Sequence, residues 1–419
     1  MRVLEGEAAL RFFSERLLNR RNLVDPRVEN TAAKIIADVV SDGVKAVRRY
    51  AEELDGLQPG QPLQVTGAEM KDALESVSPD FVKAVKKAAA NIRQFAAWQK
   101  PKSWMRSMQP GLKVGQRVEP IASVGCYVPG GRYPLPSSLL MTVIPAQVAG
   151  VKVIQVASPK PVKETLAVAA LLGVPMFYRI GGAQAIAAFA YGAGSTLLDN
   201  IHPVRKIVGP GNAYVTAAKR LVSSDCAIDM LAGPTEAAVV AHEGDPQNYA
   251  ADLVAQAEHD PDTVVAFITV NAKLAREVAR KTMEMADDNP IAKKSIARNS
   301  AALIVKDRKF AINLANEIAP EHITVSKSDA KYVNAAGSVF IGEYSPQSLG
   351  DYASGPNHTL PTGGAARYRG GLSVLDFVKI ITVQEVTKAG LKRIAPVVTT
   401  LAEAEGLKAH AESVRVRLR

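Results

Sequence analysis

Apolar residues recur at helical spacing through "VENTAAKIIADVVSDGVKAVRRYAEELDG", residues 28–56, and the repeat stops at Gly56. A second amphipathic helix is predicted over "DFVKAVKKAAANIRQFAAWQK", ended by Pro101. From about residue 118 the pattern changes. Short β-branched runs ("VGCYVP", "VKVIQVAS", "PMFYRIGG", "KIVGPG") alternate with Ala-rich helical stretches such as "VKETLAVAALLG", "AQAIAAFAYG" and "NAYVTAAKRLVSS". Alternation of this kind predicts a parallel sheet with helices on both faces. A second alternating block begins near Glu236 with "AAVVAH", "PQNYAADLVAQAEH", "TVVAFITV", "AALIVK" and "AGSVFIG".

The predicted fold is therefore α/β, with two doubly wound, Rossmann-like units and small helical segments at either end. The expected division is an N-terminal helical segment, 1–24; a discontinuous first α/β unit, 25–127 and 237–368; a second unit, 128–236; and a helical tail, 369–419. No repeat of solenoid period is visible.

Length and composition agree. The 419 residues are too many for one core, and 47% hydrophobic with 22% charged residues suits a soluble globular protein. The net charge of +10 raises nucleic-acid binding. The basic residues are scattered, though, with no zinc-finger spacing, RNP-like motif or basic low-complexity tail, so no nucleic-acid partner is expected. Two cysteines, Cys126 and Cys226, cannot staple such a chain and suit a reducing cytoplasm. The start "MRVLEGEAALRFF" does not resemble a signal peptide, and the most apolar run is broken by Pro145, Gln147, Gly150 and Lys152, so no membrane association is expected.

Candidate chemistry lies in the turns. "VPGGRYP", "RIGGAQA" and "VGPGNAY" each place glycines after a strand and before a helix, where backbone N–H groups can face an anion. None is a full G-x-G-x-x-G, so the dinucleotide fingerprint is incomplete. "AQAEHDPD" sets Gln256 and His259 three apart on a predicted helix, on one face, where an amide oxygen and an imidazole can share a metal. "LGDYASGPNHTLPTGG" displays Asp351 and His358 in a Gly- and Pro-rich loop, and "EGLKAH" ends in His410. In "NEIAPEHITVS", a helix broken at Pro320 leaves Glu321 and His322 at a strand mouth: two bases side by side. His202 and His242 lack such neighbours and are taken as structural.

Together these motifs, with "AIDMLAGPTE" and "AEGLKAHAESV", resemble the histidinol dehydrogenase family in order and approximate spacing, from about residue 28 to residue 414. The resemblance implies a zinc-dependent oxidation of L-histidinol to L-histidine through L-histidinal, reducing two NAD+. It implies one Zn2+ per subunit, held by Gln256, His259, Asp351 and His410, with Glu321 and His322 as catalytic bases. Thr235, Gln256, His259, His322, Asp351, His358, Glu405 and His410 would contact the substrate. Tyr127, Gln184 and Asn212 would lie on the NAD side. The family is an intertwined homodimer, so Glu405 and His410 would reach the neighbouring subunit's site. Thr235 stands where many members have Ser, Gln347 where Glu is common, and Arg205 where an acidic residue is usual. "GAGSTLLDNIHPVRKIVGPG" is longer than expected. Two other readings compete. One is a related zinc/NAD dehydrogenase of another small polyol, such as a sulfonated propanediol, for which Glu405 and His410 are the discriminators. The other is a binding protein on a decayed scaffold, which would have lost a ligand or a base, and none is missing.

Overall fold

The computed structural model describes residues 1–18, 25–130, 133–194 and 199–419. Among them, the strands form two six-stranded sheets and one three-stranded sheet. The first sheet runs β1 (Arg2–Glu5), β12 (Ala301–Ile304), β11 (Val264–Thr269), β10 (Glu236–Val240), β13 (His322–Val325), β14 (Ser338–Ile341), all parallel. The second runs β2 (Gln64–Val65), β7 (Met176–Tyr178), β6 (Val153–Ala157), β5 (Ser123–Tyr127), β8 (Lys206–Val208), β9 (Ala227–Ile228), parallel except for β2. The third is antiparallel, β15 (Val378–Val386), β4 (Leu112–Pro120) and β3 (Trp104–Gln109).

The central strands are buried on both faces, which is why "EAAVV" and "VVAFIT" are apolar runs with little alternation. Side chains still part by period two. Ala238, Val240, Ala266 and Ile268 meet Ala311, Ile312 and Ala315 of the helix Arg308–Ile318. Ala237, Val239, Val265 and Phe267 meet Leu253, Leu274 and Val278 on the other side. The second sheet is sandwiched in the same way, by Leu139, Val143 and Ile144 on one face and Ile186, Ala187 and Val215 on the other.

Three expectations change. The piece 25–127 does not join the first sheet: its helices Pro26–Asp42, Val44–Asp55 and Pro79–Gln99 pack on the second, and its last strand, β5, lies inside that sheet. The N-terminal segment 1–24 is not only helical, because β1 pairs with β12 at the edge of the first sheet. The tail is not only helical either: β15 pairs along its full length with β4. Each change has one cause. The deciding partner is remote in sequence, and local periodicity carries no information about it.

The segment 229–235 links the two main sheets. It leaves the carboxyl end of β9 and enters the amino end of β10, so those two ends are held near each other. Asp229 anchors its start. The Asp229 carboxylate accepts from Gly209 N at 2.7 Å and from Met230 N at 2.6 Å, and forms a buried ion pair with Lys219. Lys219 also donates to the Gly209 carbonyl at 3.0 Å.

Candidate active site

The helix Arg308–Ile318 ends in Ala319, which adopts a left-handed conformation at φ 51°, and Pro320 forbids continuation. The chain then turns directly into β13. Glu321 sits just before that strand and His322 is its first residue, paired in register with Ala237 of β10. Both side chains are buried, at 8% and 2% exposure. The Glu321 carboxylate accepts from Glu236 N at 3.4 Å. Burial lifts the Glu321 carboxyl to about 7, against the opposing influence of His322 and of hydrogen bonds from Glu236 N and the Thr235 side chain.

Asp351, expected in a loop, lies instead in a short helix after β14, Gln347–Tyr352, which brings it to this pair. Asp351 Oδ1 is 3.1 Å from His322 Nε2, and Oδ2 accepts from Gln256 Nε2 at 3.1 Å. A carboxylate can only accept, so in the neutral imidazole His322 Nε2 carries the proton and Nδ1 keeps a lone pair. That Nδ1 is buried and has no hydrogen-bond partner. Burial pushes the His322 imidazole down, but the Asp351 hydrogen bond and the charges of Glu321, Asp351 and Asp252 carry it above its ordinary value. Burial pushes Asp351 up, but the His322 hydrogen bond and the charges of His322, His358 and His259 hold it below the usual range.

Gln256 lies in the last turn of the helix Pro246–Ala257. His259 lies past that helix rather than within it, which corrects the expected shared helix face. The turn nevertheless continues, with His259 N donating to the Gln256 carbonyl at 3.3 Å. Gln256 Oε1 is buried without a partner, an acceptor that a cation would satisfy. Amide oxygen, imidazole nitrogen and carboxylate oxygen form a donor set that suits zinc. Within one chain the set is incomplete: among the described residues no three or more His, Cys, Asp or Glu side chains form a metal cage.

His358 joins the two halves. Its Nδ1 is 2.7 Å from the Asp351 carbonyl, so Nδ1 donates there, and its Nε2 is 3.2 Å from Ser138 Oγ in the helix Pro136–Ala149 of the second sheet. Asn357 Nδ2 donates to the Met141 carbonyl at 2.6 Å, and Gly233 N donates to Thr362 Oγ1 at 2.6 Å. The loop of the first unit is thereby seated on the second.

The three residues expected on the cofactor side lie at or just beyond the carboxyl ends of strands in the second sheet. Tyr127 ends β5, and its hydroxyl accepts from Gly182 N at 3.2 Å. Gln184 is fully buried in the first turn of the helix Gly182–Tyr191. Asn212 caps the helix Ala213–Val222, accepting from Tyr214 N at 3.0 Å and Val215 N at 3.1 Å. Gly209 has φ +114°, and a Cβ there would stand 2.1 Å from the Tyr127 carbonyl, so only glycine lets β5 and β8 end this close. The tip of the turn "VPGGRYP", at 131–132, lies outside the described residues, as does 195–198 of "GAGSTLLDNIHPVRKIVGPG".

The comparisons with known proteins agree with one another. A family model described as histidinol dehydrogenase matches residues 18–418. A histidinol dehydrogenase from Methanothermobacter thermautotrophicus is 42% identical, and the match covers 96% of each chain. One from Gluconobacter oxydans is 42% identical over 96% of this chain and 95% of its own. The crystal structure of histidinol dehydrogenase from Elizabethkingia anophelis gives a TM-score of 0.93 at 34% identity, covering 100% of this chain and 98% of that one. The chain belongs to the histidinol dehydrogenase family.

It is thus an oxidoreductase of histidine biosynthesis that acts on histidinol, and the polyol alternative finds no support in these relatives. Two of the residues expected in a histidinol dehydrogenase site are not brought to it within this chain. Glu405 and His410 are exposed on the tail, at the end of the helix Lys388–Ala404 and in the helix Lys408–Arg415. Among the described residues neither hydrogen-bonds to the site. Sequence reasoning also missed a buried support behind it. Asp252 accepts from Gln347 N at 3.2 Å and Thr324 Oγ1 at 3.3 Å, tying the Gln256 helix to β13 and to the short helix of Asp351. Its position four residues before Gln256, on the same helix face, was the available signal. His242, taken as structural, is buried and accepts from Val270 N at 3.3 Å.

Proposed function

We propose that this enzyme carries L-histidinol through L-histidinal to L-histidine at a site shared by two subunits, passing two hydrides to NAD+. The reading rests on one observation: Glu321 and His322 are adjacent, buried and differently supported. Asp351 holds His322 in the tautomer with a free Nδ1 lone pair, as an acid orients a histidine in a catalytic triad. In the first step His322 takes the hydroxyl proton as hydride leaves the carbon. The aldehyde must then add water before a second hydride can leave. Glu321, with a carboxyl at about 7, is half ionised near neutrality and takes the proton of that water. His322 serves again in the second oxidation.

Gln256, His259 and Asp351, with His410 of the partner subunit, would hold one zinc, which supplies Lewis acidity and orients the substrate imidazole and amine. Thr235, His358 and Glu405 of the partner subunit would complete the substrate pocket. Tyr127, Gln184 and Asn212 would contact NAD+, the hydride acceptor, across the carboxyl ends of the second sheet. The dimer has its own support. The hairpin and tail expose Trp104, Met105, Met108, Ile380, Val397 and Leu401, an apolar surface that a second copy would cover. Among the described residues no helix is long and apolar enough to cross a membrane, and we place the enzyme in the cytoplasm.

The test assays alcohol and aldehyde separately. The wild-type enzyme should form two NADH per L-histidinol and turn over simple diols at least ~100-fold less efficiently. Glu321→Gln should lose about 100-fold with L-histidinal and far less in a single-turnover oxidation of L-histidinol. Equal losses in the two steps would assign Glu321 to orienting His322 instead.

A further inference from the structure

The turn Gly181–Gly182 precedes a helix at the carboxyl end of β7, a place where many dinucleotide sites set a phosphate against free N–H groups. Here those groups are already used. Gly181 N donates to Asp55 Oδ2 at 2.8 Å, and Gly182 N donates to the Tyr127 hydroxyl at 3.2 Å. Asp55 comes from the end of the helix Val44–Asp55 and is buried, at 8% exposure. The same Oδ2 accepts from Gln184 Nε2 at 2.9 Å.

This second bond has a chemical consequence. A carboxylate offers only acceptors, so it settles which end of the Gln184 amide faces Asp55. The nitrogen is held and Oε1 is turned away. Gln184 is fully buried and its Oε1 has no partner. Gly182 carries no side chain against that oxygen, and a Cβ there would stand 2.7 Å from it.

We propose that Asp55 is a positioning residue for NAD+: it occupies the anion position at this helix end and presents Gln184 Oε1 as an acceptor to a ribose hydroxyl or carboxamide N–H of the cofactor. The inference rests on the reading of Gln184 as a cofactor residue. It differs from that reading in assigning the contact's polarity to a residue from a different helix. It also places no cofactor phosphate at Gly181–Gly182.

The experiment measures NAD+ and L-histidinol binding to the full-length enzyme by calorimetry, with unfolding midpoints alongside. Asp55→Ala removes the acceptor that holds Gln184 Nε2, so the amide is free to turn a donor toward the cofactor. NAD+ should bind about tenfold more weakly, with L-histidinol affinity unchanged within about twofold. Combining Asp55→Ala with Gln184→Glu presents an oxygen to the cofactor whichever way the side chain turns and should return NAD+ affinity to within about threefold of wild type. Unchanged NAD+ affinity in Asp55→Ala overturns the proposal, as does equal weakening of both ligands, or no recovery in the double variant. Gln184→Ala separates the two readings. If it leaves NAD+ binding intact, the cofactor role of Gln184 itself fails, whatever Asp55 does.

Discussion

The two large sheets are built alike, and their candidate site residues lie at opposite ends. In each, strand order reverses beside the first strand of its parallel series, between β5 and β8 in the second sheet and between β10 and β13 in the first. In the second sheet the residues assigned to NAD+ lie beyond the carboxyl ends, as switch-point ligands generally do. In the first sheet Glu321 and His322 stand at the amino end of β13, beside the start of β10. The difference teaches what each half needs. A dinucleotide needs room and donors, which turns after strands provide. Acid–base groups need burial and a fixed tautomer: the strands flanking β13 bury His322, and Asp351 from the short helix after β14 fixes its tautomer. The linker 229–235 and the loop carrying His358 and Thr362, which follows the helix of Asp351, set these unlike ends face to face.

The most damaging change to the buried half should be Asp351→Asn. It removes the negative charge beside His322 and replaces one carboxylate oxygen of a proposed metal ligand with an N–H that cannot bind a metal, so turnover should fall ~10^3- to 10^4-fold and bound zinc should fall with it, read by metal analysis. Full turnover in a zinc-free preparation would break the assignment. On the other half, Lys219→Met leaves the Asp229 carboxylate buried and unpaired beneath the Gly209 turn. Denaturant unfolding should show a loss of about 3–5 kcal/mol. A loss below 1 kcal/mol would mean that the pair does not anchor the linker.

A third experiment sharpens the contrast through pH. The Glu321 carboxyl is raised from 4.5 to about 7, so the folded state keeps its proton through that window while the unfolded chain releases it. This group's stabilising contribution is complete below about 4.5 and is lost as pH rises through about 7. Gln cannot titrate, so Glu321→Gln should gain on the wild type as pH rises from 5 to 8, by up to about 3 kcal/mol in substrate-free protein. A pH-independent difference would place Glu321 in a wetter site than its burial indicates. The smallest effect tests the composite site. Mixing a His410→Asn chain with a His322→Asn chain should restore roughly a quarter of wild-type activity, because a heterodimer then has one intact site and one doubly altered site. No recovery, with heterodimers demonstrated by native mass spectrometry, would put His410 in its own chain's site.

Much of the site was legible because its signals are local. Pro320 after an apolar helix and before "HITV" places Glu321 and His322 at a strand mouth whatever surrounds them. Glycines beside strands mark the turns at Gly182 and Gly209, since positive φ and close backbone approach exclude other residues. Gln256 and His259 were recognised as neighbours, although the helix ends at Ala257 and a turn, not a helix face, joins them.

What stayed hidden depends on partners remote in the chain. The pattern "VKIITVQEV" of β15 meets its counterpart in β4 more than two hundred positions earlier, and no local period announces that pairing. Asp55, Asp252 and Lys219 look like ordinary polar positions on amphipathic helices until packing buries them against Gly181, Gln347 and Asp229. The sequence by itself singled out the candidate side chains and determined the short-range geometry that displays them, because capping, proline and glycine rules act over a few residues. Only the tertiary structure decided which end of each sheet faces the site, which way the Gln184 amide points and which proton His322 keeps. Those choices follow from burial and from hydrogen bonds between elements that meet only when the chain is folded.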